Sequence, residues 1–197
     1  ARTVADTAAI LNEIAGPDLN DTTSSRELVP DYLDLLTEDI TDLRIGFDRQ
    51  YATEGVSPVI AGSMIDAMEI FRQRGANIKP VQLPAATEAI HQWLTICAAE
   101  ASVSHEEVFP EHSEKYNPLL RGLLNLGSTI LSSSYVKAQT MRQKFRIQME
   151  ALFEHIDVLV TPAWHQLTPT LHILSEQLKN DGRLEDLIRF SAPQDLS

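Results

Sequence analysis

The chain has 197 residues, 43% of them hydrophobic and 22% charged, a composition that supports one hydrophobic core and makes a single domain the expectation. Its formal net charge of -12, from 16 basic and 28 acidic residues, argues against a phosphate-binding surface and so against nucleic acid as a partner. There is no apolar run long enough to span a bilayer and no basic segment leading into an apolar one at the start, so no membrane partner and a cytoplasmic location are expected.

In chain order, the first element is a helix. Thr3 followed by Asp6 resembles a capping box, and Val4, Ala8, Leu11 and Ala15, with Ile10 and Ile14 beside them, form one apolar face. Gly16-Pro17 stops that helix, and "DLNDTTSS" reads as a polar turn. An apolar helix this early needs something to dock on, so the chain is expected to start inside a domain.

"LRIGF", Leu43 to Phe47, reads as a strand. Ser57-Pro58 then opens a helix carrying Ile60, Met64, Ala67 and Phe71, and Arg72, Arg74 and Gly75 close it. "NIKPVQLP", Asn77 to Pro84, is a second strand, which Pro80 demotes to an edge. Strand, helix and strand together predict a right-handed βαβ unit.

Thr87 to Val108 predicts a long helix with Ile90, Leu94, Cys97 and Ala101 on one face. "PEHSEKYNP" then breaks the pattern before the shorter helix "LLRGLLNLG". Tyr135 to Ile156 is the longest periodic segment, with Tyr135, Ala138, Phe145, Met149, Leu152 and Ile156 facing the core, Arg142 interrupting the stripe, and the serines of "STILSSSY" serving as loop and cap. "DVLVTP" predicts a central buried strand ended by Pro162. Helices over Leu171 to Lys179 and Arg183 to Phe190 follow, and "SAPQDLS" has no element of its own.

Chemistry-bearing patterns are sparse. The pairs His105/His112 and His165/His172 are seven apart, which is not the i, i+4 spacing of a helical zinc motif, and a single cysteine supplies no ligand pair, so no metal is expected. Cys97 fits a small buried hydrophobe better than a nucleophile. The segment Asp18 to Val29 lacks the glycine and terminal glutamate of a calcium loop and reads as a turn. No G-x-S-x-G, phosphate loop or G-x-G-x-x-G occurs, and no cofactor is implied. The segment Thr161 to Pro169 remains: it leaves the carboxyl end of a strand, where open α/β sheets meet ligands, and carries an aromatic between prolines.

Four separated stretches in register resemble the amidase signature family. Arg2, Thr3, Val4, Asp6, Gly16, Asp18, Asp21 and Ser24 match its R-[ST]-V-x-D-A…G-x-D-x-x-D-x-[ST]-S segment. "LRIGF" with the helix and "LP" strand after it is similar to the family's L-R-I-G unit. "AAEASVSHEE" and "LGSTILSSSYVKAQTMR" resemble its A-E-A-S and G…L-S…Y-x-x-A…R helices, and "FEHIDVLVTPA" its F-x-x-x-D-V-L-x-T-P strand entry.

The resemblance implies an α/β fold, here an incomplete mixed sheet with flanking helices forming a single partial domain over residues 1–197. It also implies hydrolysis of carboxamide C–N bonds by a Ser, cis-Ser, Lys triad, with backbone amides holding the oxyanion. In that family the triad lies upstream of the segment matched by Arg2 to Asp6. None of the lysines, Lys79, Lys115, Lys137, Lys144 and Lys179, falls in the matching context, so no catalytic residue is assigned. Thr161, Pro162 and Trp164, at the matching strand exit, are the substrate-pocket candidates. Arg121 falls near a position often held by arginine in the family and Leu123 occupies another such position; Arg121 reads as an exposed helix-capping residue.

The leading expectation is a segment of an amidase-type hydrolase, inactive alone, whose full-length form takes a small-molecule amide. The alternative is a non-catalytic α/β domain for partner binding or oligomerisation, and a hydrolase using its own histidines is a distant third. A sheet without neighbours would favour a homo-oligomer.

Overall fold

The computed structural model describes residues 1–21, 24–37, 39–84, 86–179 and 184–197, without the side chains of Ser175, Gln177, Leu178, Lys179, Leu184 and Glu185. The chain forms two compact units, Ala1–Ile40 and Thr41–Ser197.

In the first unit, α1 spans Val4–Ile14. Its start is the capping box read from the sequence: Thr3 Oγ1 accepts from Asp6 N at 3.1 Å and Asp6 Oδ2 accepts from Thr3 N at 3.2 Å. Asn12 pins the following chain, donating to Asp31 Oδ1 at 2.9 Å and accepting from Tyr32 N at 2.9 Å. Asp31 also receives the Leu33 and Asp34 amides, and these bonds, Asn12 foremost, hold its carboxyl below the usual carboxylate range. Asp18 to Val29 contains turns: Asp18 Oδ1 accepts from Asn20 N, and Ser24 Oγ accepts from Asp18 N, both at 2.8 Å. Thr22 and Thr23 of that segment lie outside the described residues. Of the apolar face of α1, only Ala8 is buried; Val4 and Ile14 are 73% and 74% exposed.

The second unit is built on a parallel sheet. Its strands are β1, Arg44–Phe47, β2, Asn77–Pro80, and β3, Val158–Leu159, in the order β2-β1-β3 among the described residues. Ile45 faces Ile78 in β2 and Val158 in β3 across parallel ladders. β2 is an edge, as Pro80 requires. β3 corrects the expected central buried strand: β1 is central, and Val158 is 38% exposed on the far edge. The three apolar residues of that run look like a fully buried strand, but their burial depends on neighbours that local sequence does not specify.

Short α2, Arg49–Thr53, follows β1 and is capped by Asp48, whose Oδ1 accepts from Tyr51 N at 3.0 Å. No apolar periodicity marks it, and the sequence reading missed it. The helix α3, Pro58–Gln73, occupies the predicted span, with Met68 its buried residue. It ends at Gln73, and Gly75, with a positive φ of 93°, then turns the chain back beside Thr41 into β2.

The helical layer comprises α4, Ala86–Ser104, α6, Pro118–Gly127, and α7, Ser132–Phe153. Between the first two, the supposed break at Pro110 to Pro118 holds α5, Phe109–His112, and a 3₁₀ turn over Ser113–Lys115. Leu131, rather than one of the serines, occupies the N-cap of α7. Arg121 is half-buried in the first turn of α6, not exposed.

Among the described residues, three helices close the chain: α8, Leu171–Lys179, α9, Leu184–Ile188, and α10, Ala192–Leu196. Arg183, the expected start of α9, is outside the described residues. The helix α10 corrects the expectation that "SAPQDLS" has no element. Pro193 supplies a ready-made first turn, and Ala192, Pro193 and Leu196 are buried against α4 and α7. The core there joins Leu83, Ile96, Phe145, Met149 and Leu196, with Trp93 against it. Trp93 Nε1 donates to Asp195 Oδ2 at 2.9 Å, and Arg142, the residue interrupting the stripe of α7, points its Nε at the Leu196 carbonyl, 3.4 Å away.

Candidate functional site

All three described strands run parallel, so their carboxyl ends share one edge of the sheet. Side chains entering the loops converge on the opening there. Three segments emerge on this edge: Asp48 and α2 after β1, Val81 to Leu83 after β2, and Thr161 to Trp164 after β3.

Beyond β1 and β2 lies a cleft of about 470 Å³ whose wall includes Asp48, Tyr51, Gln82, Thr87 and Arg189. Asp48 ties the two strand exits together, since its Oδ2 also accepts from Leu83 N at 2.8 Å. Arg189 locks the cleft to the C-terminal segment. Its Nη1 donates to the Glu54 carbonyl at 2.7 Å and its Nη2 to the Tyr51 carbonyl at 2.8 Å. The guanidinium also stacks over the rings of Tyr51 and Phe190, at 5.0 and 4.9 Å from their centroids. Tyr51 in return donates its hydroxyl proton to the Arg189 carbonyl. Burial pushes the Tyr51 phenol up to about 12, with the nearby Arg189 charge acting against that rise.

Of the sequence-selected residues at the β3 exit, Pro162 is buried and Thr161 and Trp164 are half-buried. The loop is fastened to α3, whose N-cap residue Ser57 donates its amide to the His165 carbonyl at 2.7 Å. The Trp164 and His165 rings lie 6.2 Å apart, and Trp164 Nε1 and His165 Nδ1 are buried without a hydrogen-bond partner. A buried indole N–H without an acceptor is costly, which makes this loop the least satisfied polar point described at the sheet edge. Sequence reading selected Trp164 but not its neighbour His165, because an orphaned ring nitrogen has no local signature. Arg189 was missed for the same reason: its partners are 135 and 138 residues away.

Other expected chemistry is quiet. Burial, followed by the charges of Asp195 and Glu100, pushes the Cys97 thiol up, which favours the unreactive form. His105 Nδ1 lies 3.0 Å from the Tyr116 hydroxyl, a local polar contact. Among the described residues there is no group of three or more potential metal ligands, and no helix is long and apolar enough to cross a membrane.

The fold and its sheet-edge opening place the chain among α/β proteins with a helical layer, and comparison identifies which. The amidase family model matches residues 1–197, and the chain belongs to that family. It is 32% identical over 204 residues to the glutamyl-tRNA(Gln) amidotransferase A subunit of Chloroflexus aggregans, covering 92% of this chain and 41% of that one. It is likewise 32% identical over 161 residues to an amidase of Pseudomonas putida, covering 82% of this chain and 34% of that protein. The crystal structure of the corresponding amidotransferase protein of Thermotoga maritima superposes over 100% of this chain and 42% of its own, with a TM-score of 0.78 at 20% identity, a likeness of fold. The chain thus spans about two fifths of the length of these relatives.

Proposed function

We propose that residues 1–197 are one partial domain of an amidase-type hydrolase that cleaves a carboxamide C–N bond in a small-molecule substrate, and that this polypeptide alone lacks the Ser, cis-Ser, Lys machinery. The observation carrying this reading is a family match over the whole chain that covers only about two fifths of the relatives. The absence from the sequence of any segment resembling the catalytic signature supports it. So does the setting of the lysines: among the described residues, Lys79, Lys115, Lys137 and Lys144 make no hydrogen bond to a serine hydroxyl.

In this reading Thr161, Pro162 and Trp164 form part of the acyl pocket. The two prolines of the Thr161 to Pro169 loop and the Ser57–His165 bond hold them rigid at the sheet edge, and rigid positioning is what a pocket contributes to catalysis. The indole N–H of Trp164 is a donor suited to an acyl carbonyl or a neighbouring acceptor on the substrate. The reaction adds water across the C–N bond, giving a carboxylate and an amine, with no cofactor. The setting is cytoplasmic, with self-association through the open sheet edges.

The test is an amide-hydrolysis screen of the purified chain together with a fluorophosphonate probe for activated serine. No turnover and no labelling are expected. Hydrolysis that tracks with this chain through purification, or stoichiometric labelling of one of its serines, would overturn the proposal.

A further inference from the structure

A cavity of about 130 Å³ lies where the start of α4, the middle of α7 and the end of α10 meet, and it is separate from the loop at the end of β3. Its buried side is Ala89, Phe145 and Leu196, with half-buried Met141 beside them. Ala89, Phe145 and Leu196 are 4%, 5% and 2% exposed and belong to the hydrophobic core cluster, so the cavity opens onto the core itself.

Little in this wall offers a guest a hydrogen bond at depth. The lining residues of α7, Met141 to Gln148, sit in the interior of a 22-residue helix, and Gln92 lies past the first turn of α4. Their amides and carbonyls bond along their own helices. The polar side chains stand at the rim. Glu88, Lys144 and Gln148 are exposed, Gln92 Nε2 donates to Glu88 Oε1 at 2.6 Å, and Arg142 Nε lies 3.4 Å from the Leu196 carbonyl. Such side chains keep their heads in water and lay their stems along apolar surface. The rim carries both signs of charge, Glu88 against Arg142 and Lys144, so it selects no ion. Selection falls to size and to the apolar side.

We propose that this cavity between α4, α7 and α10 binds a small uncharged hydrocarbon ring of benzene size. The volume fits, since a cavity of roughly 150 Å³ lined by Leu, Ile and Phe side chains stays dry and takes up benzene. The Phe145 ring and the Met141 thioether are favourable neighbours for an aromatic guest. A polar ring of the same shape gives up its hydrogen bonds to water and gains none at depth. The hydrocarbon, by contrast, continues the core outward.

The test is a titration of the isotope-labelled chain with benzene, followed by methyl and amide chemical shifts, alongside pyrazine, a polar ring of matching shape. Saturable shifts are expected at Ala89, Met141 and Leu196 with benzene, and binding about tenfold weaker or more with pyrazine. Gln148→Trp, at an exposed rim position, should cover the opening and remove benzene binding while leaving the fold intact. Ala89→Val should fill the buried side and weaken benzene binding about tenfold. Equal affinity for benzene and pyrazine, shifts that do not saturate or that spread over the exposed apolar residues of other helices, or benzene binding indifferent to Gln148→Trp would each overturn the proposal.

Discussion

Arg44 and Asp157 join the beginning of β1 to the beginning of β3 through a two-pronged ion pair. Asp157 Oδ1 lies 2.6 Å from Arg44 Nη2, and Asp157 Oδ2 accepts from the Arg44 backbone amide at 2.8 Å. Because β3 has only two residues, this pair is its principal side-chain anchor to β1. The bonds from Arg44 hold the Asp157 carboxyl below the ordinary carboxylate range.

A carboxyl depressed in the folded state contributes stability above its unfolded value, near 3.9, and loses that contribution as pH falls through the lower folded value. Asp157→Asn should therefore lower Tm at neutral pH and leave a shallower acid limb than wild type. An unchanged acid limb in thermal melts across the acidic range would show that the pair does not anchor β3.

The two glycines of α6 should respond in opposite directions to alanine. At Gly127 a Cβ would lie well inside van der Waals contact of the Ala98 carbonyl and 2.8 Å from Ser102 Cβ, so Gly127→Ala forces α4 and α6 apart. A loss of about 1–3 kcal/mol is expected in urea denaturation. At Gly122 a Cβ meets nothing within 4 Å, and Gly122→Ala should gain about 0.5–1 kcal/mol through helix propensity.

Arg189 fixes the C-terminal segment by geometry more than by charge. Arg189→Ala removes two hydrogen bonds to carbonyls and the stacking on Tyr51 and Phe190, and should cost about 2–3 kcal/mol. Arg189→Lys should restore little, because an ammonium cannot reproduce the planar fork. Full rescue by lysine, read from denaturation midpoints, would refute this.

Tyr51 predicts the alkaline behaviour. Its phenol is raised from 10.0 to about 12, so its contribution is complete below about 10 and is lost as pH climbs toward about 12. Tyr51→Phe should remove that limb of the pH–stability curve. Spectrophotometric titration should lose its latest-ionising tyrosine in the variant, while the Tyr135 phenol, raised by its hydrogen bond to Glu100, stays delayed in both.

How much of this could be read beforehand differs by feature. α3 was legible because its start and stop are local: Ser57-Pro58 at one end and Arg74-Gly75 at the other. α1 was legible for the same reason, through Thr3 and Asp6. β3 was misplaced because central and edge positions are set by which strands pair, and Val158 and Leu159 look alike in either place. α10 escaped notice because five residues are too few for periodicity; its stability comes from burying Leu196 and Ala192 on distant helices. At the candidate site, the position of Thr161, Pro162 and Trp164 followed from one rule about strand ends. The Arg189 clamp and the unpartnered ring nitrogens depend on contacts across the chain, which no spacing pattern records.

The contact between Trp93 and Asp195 gives the protein a built-in clock. Cys97 lies one helical turn beyond Trp93 on α4, and its thiol is raised by burial and by the Asp195 carboxylate on α10. It is the sole cysteine in the chain, so any thiol reagent reports on one place. While α10 is seated, alkylation should be slow; each time α10 lifts, the thiol loses the Asp195 charge that suppresses its ionisation. The rate of Cys97 labelling in the native protein should thus count openings of the last five-residue helix, and Asp195→Ala should speed it without unfolding the rest.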